Sequence, residues 1–166
     1  KRGKPQDILH GRLVERRMDF DQLPHPSEEQ GVQFGCLEDL EPETVDEHNL
    51  RGMIIYTDGS KIGGGVGAAL SCWKGEAEIL ARKYVLASFC TVFQAELYAL
   101  YQATKVALGS SEQSACILSD SRSALELLGD QDASHPMVFF IKENLRRANE
   151  RKKKVRLFWV RAHVGI

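Results

Sequence analysis

The chain of 166 residues has no Cys-x-x-Cys pair, no apolar run near the roughly 18 residues needed to cross a bilayer, and no Lys or Arg between Met18 and Leu50. The first two absences exclude whole classes. Cys36, Cys72, Cys90 and Cys116 are widely spaced, so reduced, mostly buried thiols in an intracellular protein are expected rather than a zinc site or a disulfide framework. Without an apolar span, a soluble protein with no membrane partner is expected. No charged start leads into an apolar stretch and a small-residue cleavage site, so no signal peptide is expected. With Lys1 in first place, the chain reads as a piece of something longer. A G-x-x-x-x-G-K-[ST] loop is missing, which excludes a P-loop NTPase, and neither a G-x-S-x-G elbow nor a Cys-His pairing supports a covalent hydrolase.

The missing basic residues divide the chain. Residues 1–50 hold 6 Lys and Arg against 12 Asp and Glu, whereas residues 51–166 hold 16 against 11. Pro24, Pro26 and Pro42 and many carboxylates interrupt the first part, and no helical or alternating period survives there. Residues 1–50 are therefore expected to be an acidic linker or arm, with a short helix at most over Ile8–Phe20. Hydrophobic content of 43% allows one ordinary core, placed from Met53 onward.

There the apolar residues become periodic. Met53–Thr57, Val66–Trp73 and Ala77–Val85 read as strands joined by turns at Gly63–Gly65 and Lys74-Gly75, an antiparallel meander. Thr91 is placed to cap a helix that stops at Gly109. Ser114–Asp120 reads as a strand, "SRSALELLG" as a short helix, "HPMVFFIKENLRRANER" as a longer one with Pro136 near its start, and Lys154–Val160 as a last strand. The order predicts an α/β fold with a five-stranded mixed sheet: three antiparallel strands, then two laid parallel to the first by right-handed helical crossovers.

Asp58 and Asp120 close the first and fourth strands, each before a small residue that opens a turn. A single strand-end Asp is most simply a turn former or an N-cap. If the two strands lie parallel and adjacent, however, both carboxylates meet at the carboxyl edge of the sheet, where open α/β sheets bind ligands. Glu96 shares a stripe with Val92, Ala99 and Ala103 on the helix between them. A carboxylate in an apolar stripe needs a compensating charge, either a cation or a buried Arg or Lys. Three converging carboxylates without a Cys-His pattern suit a hard cation, Mg2+ or Mn2+. Two such ions about 4 Å apart hydrolyse phosphodiesters. Gly63, Gly65 and Ala68 match the G-x-G-x-x-A dinucleotide fingerprint, but that fingerprint must open a helix and this stretch alternates like a strand.

Nine basic residues lie between Lys142 and Arg161 against Glu143 and Glu150. With Val138, Ile141, Leu145 and Ala148 forming the apolar stripe of the helix, Arg146, Arg147, Arg151, Lys152, Lys153 and Lys154 are expected outside it. Such a face is either simply solvated or a contact surface for a phosphate backbone.

The motifs "YTDGS", "FQAELYAL", "LSDSRSAL" and "WVRAHVGI", in this order and spacing, resemble the type I ribonuclease H domain, in particular that of LINE-like (non-LTR) retrotransposon polyproteins. The likeness covers Gly52–Ile166. It implies a ribonuclease H-like fold and an endonuclease that hydrolyses the RNA strand of RNA/DNA hybrids with two Mg2+ ions, Mn2+ being able to substitute. It implies Asp58, Glu96 and Asp120 as metal ligands, His163 as a mobile-loop residue aiding proton transfer or product departure, and Gly59, Ser60 and Ser121 beside the nucleic acid. Residues 1–50 would then lead from an upstream reverse transcriptase, and an intracellular, nuclear setting during retrotransposition is expected. The family's fourth carboxylate and final helix fall about ten residues past His163, inside a G-N-E-x-A-D stretch. For the chain ending at Ile166 the resemblance therefore implies weakened metal binding and low activity. The alternatives are a non-catalytic module of the same fold, binding nucleic acid or serving as scaffold in a larger reverse transcriptase, and a DNA-cutting integrase or resolvase. The latter place their Glu late, whereas Glu96 follows directly on the meander.

Overall fold

The computed structural model describes residues 32–37 and 50–161. Their elements run β1 (Phe34–Leu37), β2 (Met53–Ile62), β3 (Gly65–Lys74), β4 (Ala77–Leu86), α1 (Val92–Gly109), β5 (Ser114–Ser119), α2 (Arg122–Gly129), α3 (Pro136–Glu150) and β6 (Lys154–Val160). All six strands join one sheet in the order β1-β6-β5-β2-β3-β4. The meander β2–β4 is antiparallel, β5 lies parallel to β2, and β6 lies parallel to β5, as the alternation of strands and helices predicts.

The sheet has six strands rather than the five expected. The extra one, β1, comes from the stretch read as linker and pairs in parallel with β6 from Phe34↔Leu157 to Leu37↔Val160. Gly35 permits this pairing: a Cβ there would sit 2.7 Å from the ring of Phe158, so a side chain at that position would displace the aromatic. Leu37 is then fully buried in a small cluster with Leu50, Cys116, Leu118, Phe158 and Val160.

β2 also runs five residues beyond its expected end at Thr57, because its outer half pairs with β3 as far as Ile62↔Gly65. The two-residue turn between them, Gly63-Gly64, has φ of 56° and 85°, the left-handed pair that matches the twist of a tight hairpin.

α1 starts with a reciprocal capping box. The Gln94 N–H donates to Thr91 Oγ1 (3.1 Å), and the Thr91 N–H donates to Gln94 Oε1 (2.8 Å). Every residue from Ala95 to Thr104 is buried, since α1 is packed between the sheet and α3. A buried hydrogen bond from Asn144 Nδ2 to Thr104 Oγ1 (3.1 Å) ties α3 to α1, and a chain of ring contacts, edge-on for Tyr84–Tyr98 and tilted for Tyr98–Tyr101 and Tyr101–Phe140, runs from β4 through α1 to α3. This helix is the fixed wall against which one catalytic candidate is presented. Cys72, Cys90 and Cys116 are buried and Cys36 is exposed, all as free thiols. No helix among the described residues is long and apolar enough to cross a membrane.

Candidate active site

The parallel register Thr57↔Ser119 brings Asp58 and Asp120, each the next residue along, to the same edge of the sheet. α1 reaches that edge at Gly59. A Cβ on Gly59 would lie 2.6 Å from the backbone nitrogen of Glu96 and 2.9 Å from the carbonyl carbon of Ala95, so strand and helix touch backbone to backbone. Only glycine allows that approach, and it carries Glu96 to the two aspartates. Ligand oxygens of Asp58, Glu96 and Asp120 all lie within 4.8 Å of one another.

Glu96 is only 6% exposed, and its Oε2 is buried with no hydrogen-bond partner among the described residues. The Gly59 N–H donates to the carboxylate, while Asp120 bonds to it only if one of the two carries a proton. Burial, followed by the charges of Asp120 and Asp58, pushes the Glu96 pKa up from 4.5 to about 8. An orphaned buried acceptor facing two more acceptors lacks a positive charge, and no Lys or Arg among the described residues forms an ion pair with Glu96. Among the described residues the donor set is all carboxylate oxygen, which fits a hard divalent cation better than a zinc site of thiolates and imidazoles. Of the two explanations open for a carboxylate in this stripe, the geometry favours the cation. Val92 leaves the stripe, being 42% exposed at the mouth of the site, while Ala99 and Ala103 are fully buried.

The backbone beside the aspartates, which lie in the body of β2 and one residue past β5, is held by residues that the sequence did not single out. Thr57 Oγ1 donates across to the Leu118 carbonyl (2.8 Å), and the indole Nε1 of Trp159 donates to the Asp120 carbonyl (3.2 Å). Lys61 Nζ donates to the Cys90 carbonyl (3.4 Å), tying the outer half of β2 to the loop before α1. Polar residues flanking a strand-end Asp were the available signal, but their partners lie on other strands.

The remaining candidates fall elsewhere. Ser60 is exposed one residue past Gly59. Ser121 spends its hydroxyl as the N-cap of α2, accepting from the Ala124 N–H (3.3 Å). His163 lies outside the described residues. On α3, Val138, Ile141 and Ala148 are buried as the stripe requires, and the basic side chains on and just after the helix divide into three groups. Arg146 pairs with Glu143 and Glu150, and Arg147 with Glu143 (3.2 Å). Arg151 donates to the Leu108 carbonyl (3.4 Å), and half-buried Lys153 donates to the carbonyls of Ala107, Ser110 and Glu112. Lys153 thus caps the C-terminus of α1, a structural task that charge counting along the sequence does not reveal. Lys152 and Lys154 are exposed.

A mixed sheet flanked by helices, with an acidic triad at the carboxyl ends of two parallel strands and a central helix supplying the middle carboxylate, defines an α/β class whose site could hold a divalent cation. The RNase H family model matches residues 51–166, more than two thirds of the chain, and the chain belongs to the RNase H family. No curated protein matches it. Membership supports nucleic-acid hydrolysis and binding of RNA/DNA hybrids, and the three carboxylates are the acidic cluster on which a divalent metal would rest.

Proposed function

We propose that this domain hydrolyses the RNA strand of RNA/DNA hybrids, and that it does so within the reverse transcriptase polyprotein of a LINE-like retrotransposon. The observation that carries the first part is the buried, partnerless Glu96 oxygen beside Asp58 and Asp120, inside the segment that matches RNase H. Asp58, Glu96 and Asp120 would hold two Mg2+ ions or, in their place, Mn2+. When bound, these supply the Lewis acidity that makes water nucleophilic near neutral pH and offsets charge on the leaving oxygen. The residues themselves do the remaining work. Asp58 is anchored within the paired length of β2, the Asp120 carbonyl is held by Trp159, and α1 holds Glu96 in place, so none of the three needs to reorganise as charge develops. The exposed hairpin arm from Ser60 and the exposed Lys152 and Lys154 offer contacts to sugar and phosphate. Selectivity for hybrid over duplex DNA rests on contacts to the 2'-hydroxyls and on groove shape. The retrotransposon context is supported by the four motifs quoted above and by the acidic stretch before the domain, read as the link from an upstream reverse transcriptase.

The test is cleavage of an end-labelled RNA/DNA hybrid, duplex DNA and single-stranded RNA under single-turnover conditions with Mg2+ or Mn2+, beside Asp58→Asn. Cutting confined to the RNA of the hybrid, however slow, and abolished by Asp58→Asn, is expected. Hybrid binding with no cutting in either metal would make the domain a non-catalytic scaffold; equal cutting of duplex DNA would place it with the integrases.

A further inference from the structure

We infer that Trp159 is a positioning residue for Asp120, acting through the single peptide unit that joins Asp120 to Ser121. This rests on the reading of Asp58, Glu96 and Asp120 as a cation site.

The last pair between β5 and β6 is Ser119↔Trp159, so the carbonyl of Asp120, one residue further on, has passed beyond the strand pairing. Free to rotate, that peptide would leave the Cα–Cβ direction of Asp120 unfixed, because it follows the two residues of regular strand and precedes the cap of α2. Both poles of the peptide are held instead. Its C=O accepts from the Trp159 indole Nε1 (3.2 Å), and its N–H, that of Ser121, donates to Ser119 Oγ (3.1 Å). Two residues back, Thr57 Oγ1 holds the Leu118 carbonyl from β2 (2.8 Å). The indole is itself fixed. It is half-buried against the main core, and the Arg122 guanidinium lies over its ring with the centroid 5.5 Å away, while Arg122 Nε donates to Glu126 (3.0 Å).

A peptide plane pinned at both ends is more than fold stability requires at a strand terminus. Its consequence falls on the carboxylate directly attached. Partners that orient a metal ligand typically change metal affinity about 10–100-fold when removed. Since Trp159 acts through a main-chain carbonyl rather than through the carboxylate, the lower end, about tenfold, is expected.

The test uses Mn2+ alone as the probe, with affinity measured by titration calorimetry on the full 166-residue chain. Trp159→Phe keeps the ring and its stacking but removes the donor; it should weaken Mn2+ binding about tenfold. Ser119→Ala removes the other hold on the same peptide and should act in the same direction, with the double variant falling short of the product of the two. Ile141→Val, on α3, which carries none of the three carboxylates, is the control for stability. It should lower Tm while leaving affinity unchanged. Wild-type affinity in Trp159→Phe, or a loss in Ile141→Val as large as in Trp159→Phe, would overturn the inference alone. Absent Mn2+ binding in wild type, or no weakening in Asp120→Asn, would overturn the cation-site reading and this inference with it.

Discussion

Replacing Glu96 with Gln should stabilise the metal-free protein, and only above the ordinary carboxylate range, where the unfolded chain has given up the proton that the fold retains. Burial and the neighbouring Asp120 and Asp58 raise the Glu96 pKa from 4.5 to about 8. In the unfolded chain the group loses its proton near its ordinary value. Between those two pH values the folded state therefore holds the extra proton, and stability falls as pH rises from about 4.5 to about 8, then levels off. A rise of that size, at about 1.4 kcal/mol per pH unit, sets a ceiling near 5 kcal/mol on the cost of charging Glu96 in the fold. Side-chain relaxation and water at the rim, where the effective dielectric constant is nearer about 20 than 4, should reduce it to about 2–3 kcal/mol. Gln has the same shape and no charge. Urea unfolding in the presence of chelator should then show Glu96→Gln about 2–3 kcal/mol more stable than wild type at pH 8.5 and nearly equal to it at pH 4.5. Saturating Mn2+ should close the gap at pH 8.5, since it stabilises only the folded protein that binds it. A variant no more stable than wild type at pH 8.5, or one stabilised equally at both pH values, would refute the claim that Glu96 is strained by unneutralised charge.

Three further outcomes follow from the packing. Gly59→Ala must force β2 away from the α1 backbone, so a loss of more than about 2 kcal/mol in urea unfolding is expected. A stable Gly59→Ala would mean that strand and helix are not in backbone contact. Lys153→Met removes a cation from three carbonyls at the end of α1 and should cost about 2 kcal/mol, whereas Lys152→Met, at an exposed position, should stay within about 0.5 kcal/mol; thermal unfolding separates them. In hybrid binding, Lys152→Ala and Lys154→Ala should each lower the slope of log affinity against log salt by about one, and Arg146→Ala should lower it less, because Arg146 is already paired with Glu143 and Glu150.

What could be read from the sequence followed from local chemistry. Thr91 and Gly109 mark the ends of α1 because a capping hydroxyl and a helix-weakening residue act on their own neighbours. Lys154–Val160 has the bounds expected of it, and the end of β5 beside Asp120 follows from alternation and a small residue opening a turn, whereas Asp58, expected to close its strand, lies inside β2, which runs on to Ile62 because its outer half pairs with β3. What was hidden depends on contacts far apart in the chain. β1 is four residues with Gly35 among them, and its strand character exists only against β6, more than a hundred residues later. The ends of Thr57 and Trp159 that steady the aspartates are satisfied across strands. The different uses of the basic residues from Arg146 to Lys154 are decided by where the end of α1 lies, so Lys153, between α3 and β6, looks like a phosphate contact in sequence and is a helix cap in the fold. Gly59 was marked for its place in the "DGS" turn, whereas its measurable role is the close approach that seats Glu96.

The central claim is that Asp58, Glu96 and Asp120 together form a divalent-cation site. Titrating Mn2+ into isotope-labelled protein tests it most directly, because the paramagnetic ion broadens the NMR signals of nuclei close to it. The amides of Asp58, Gly59, Glu96, Asp120 and Ser121 should broaden first, and those of Ser114 and Lys154, about 20 Å away at the other end of β5 and β6, should persist. Broadening that begins elsewhere, or spreads evenly over the acidic surface, would contradict the account.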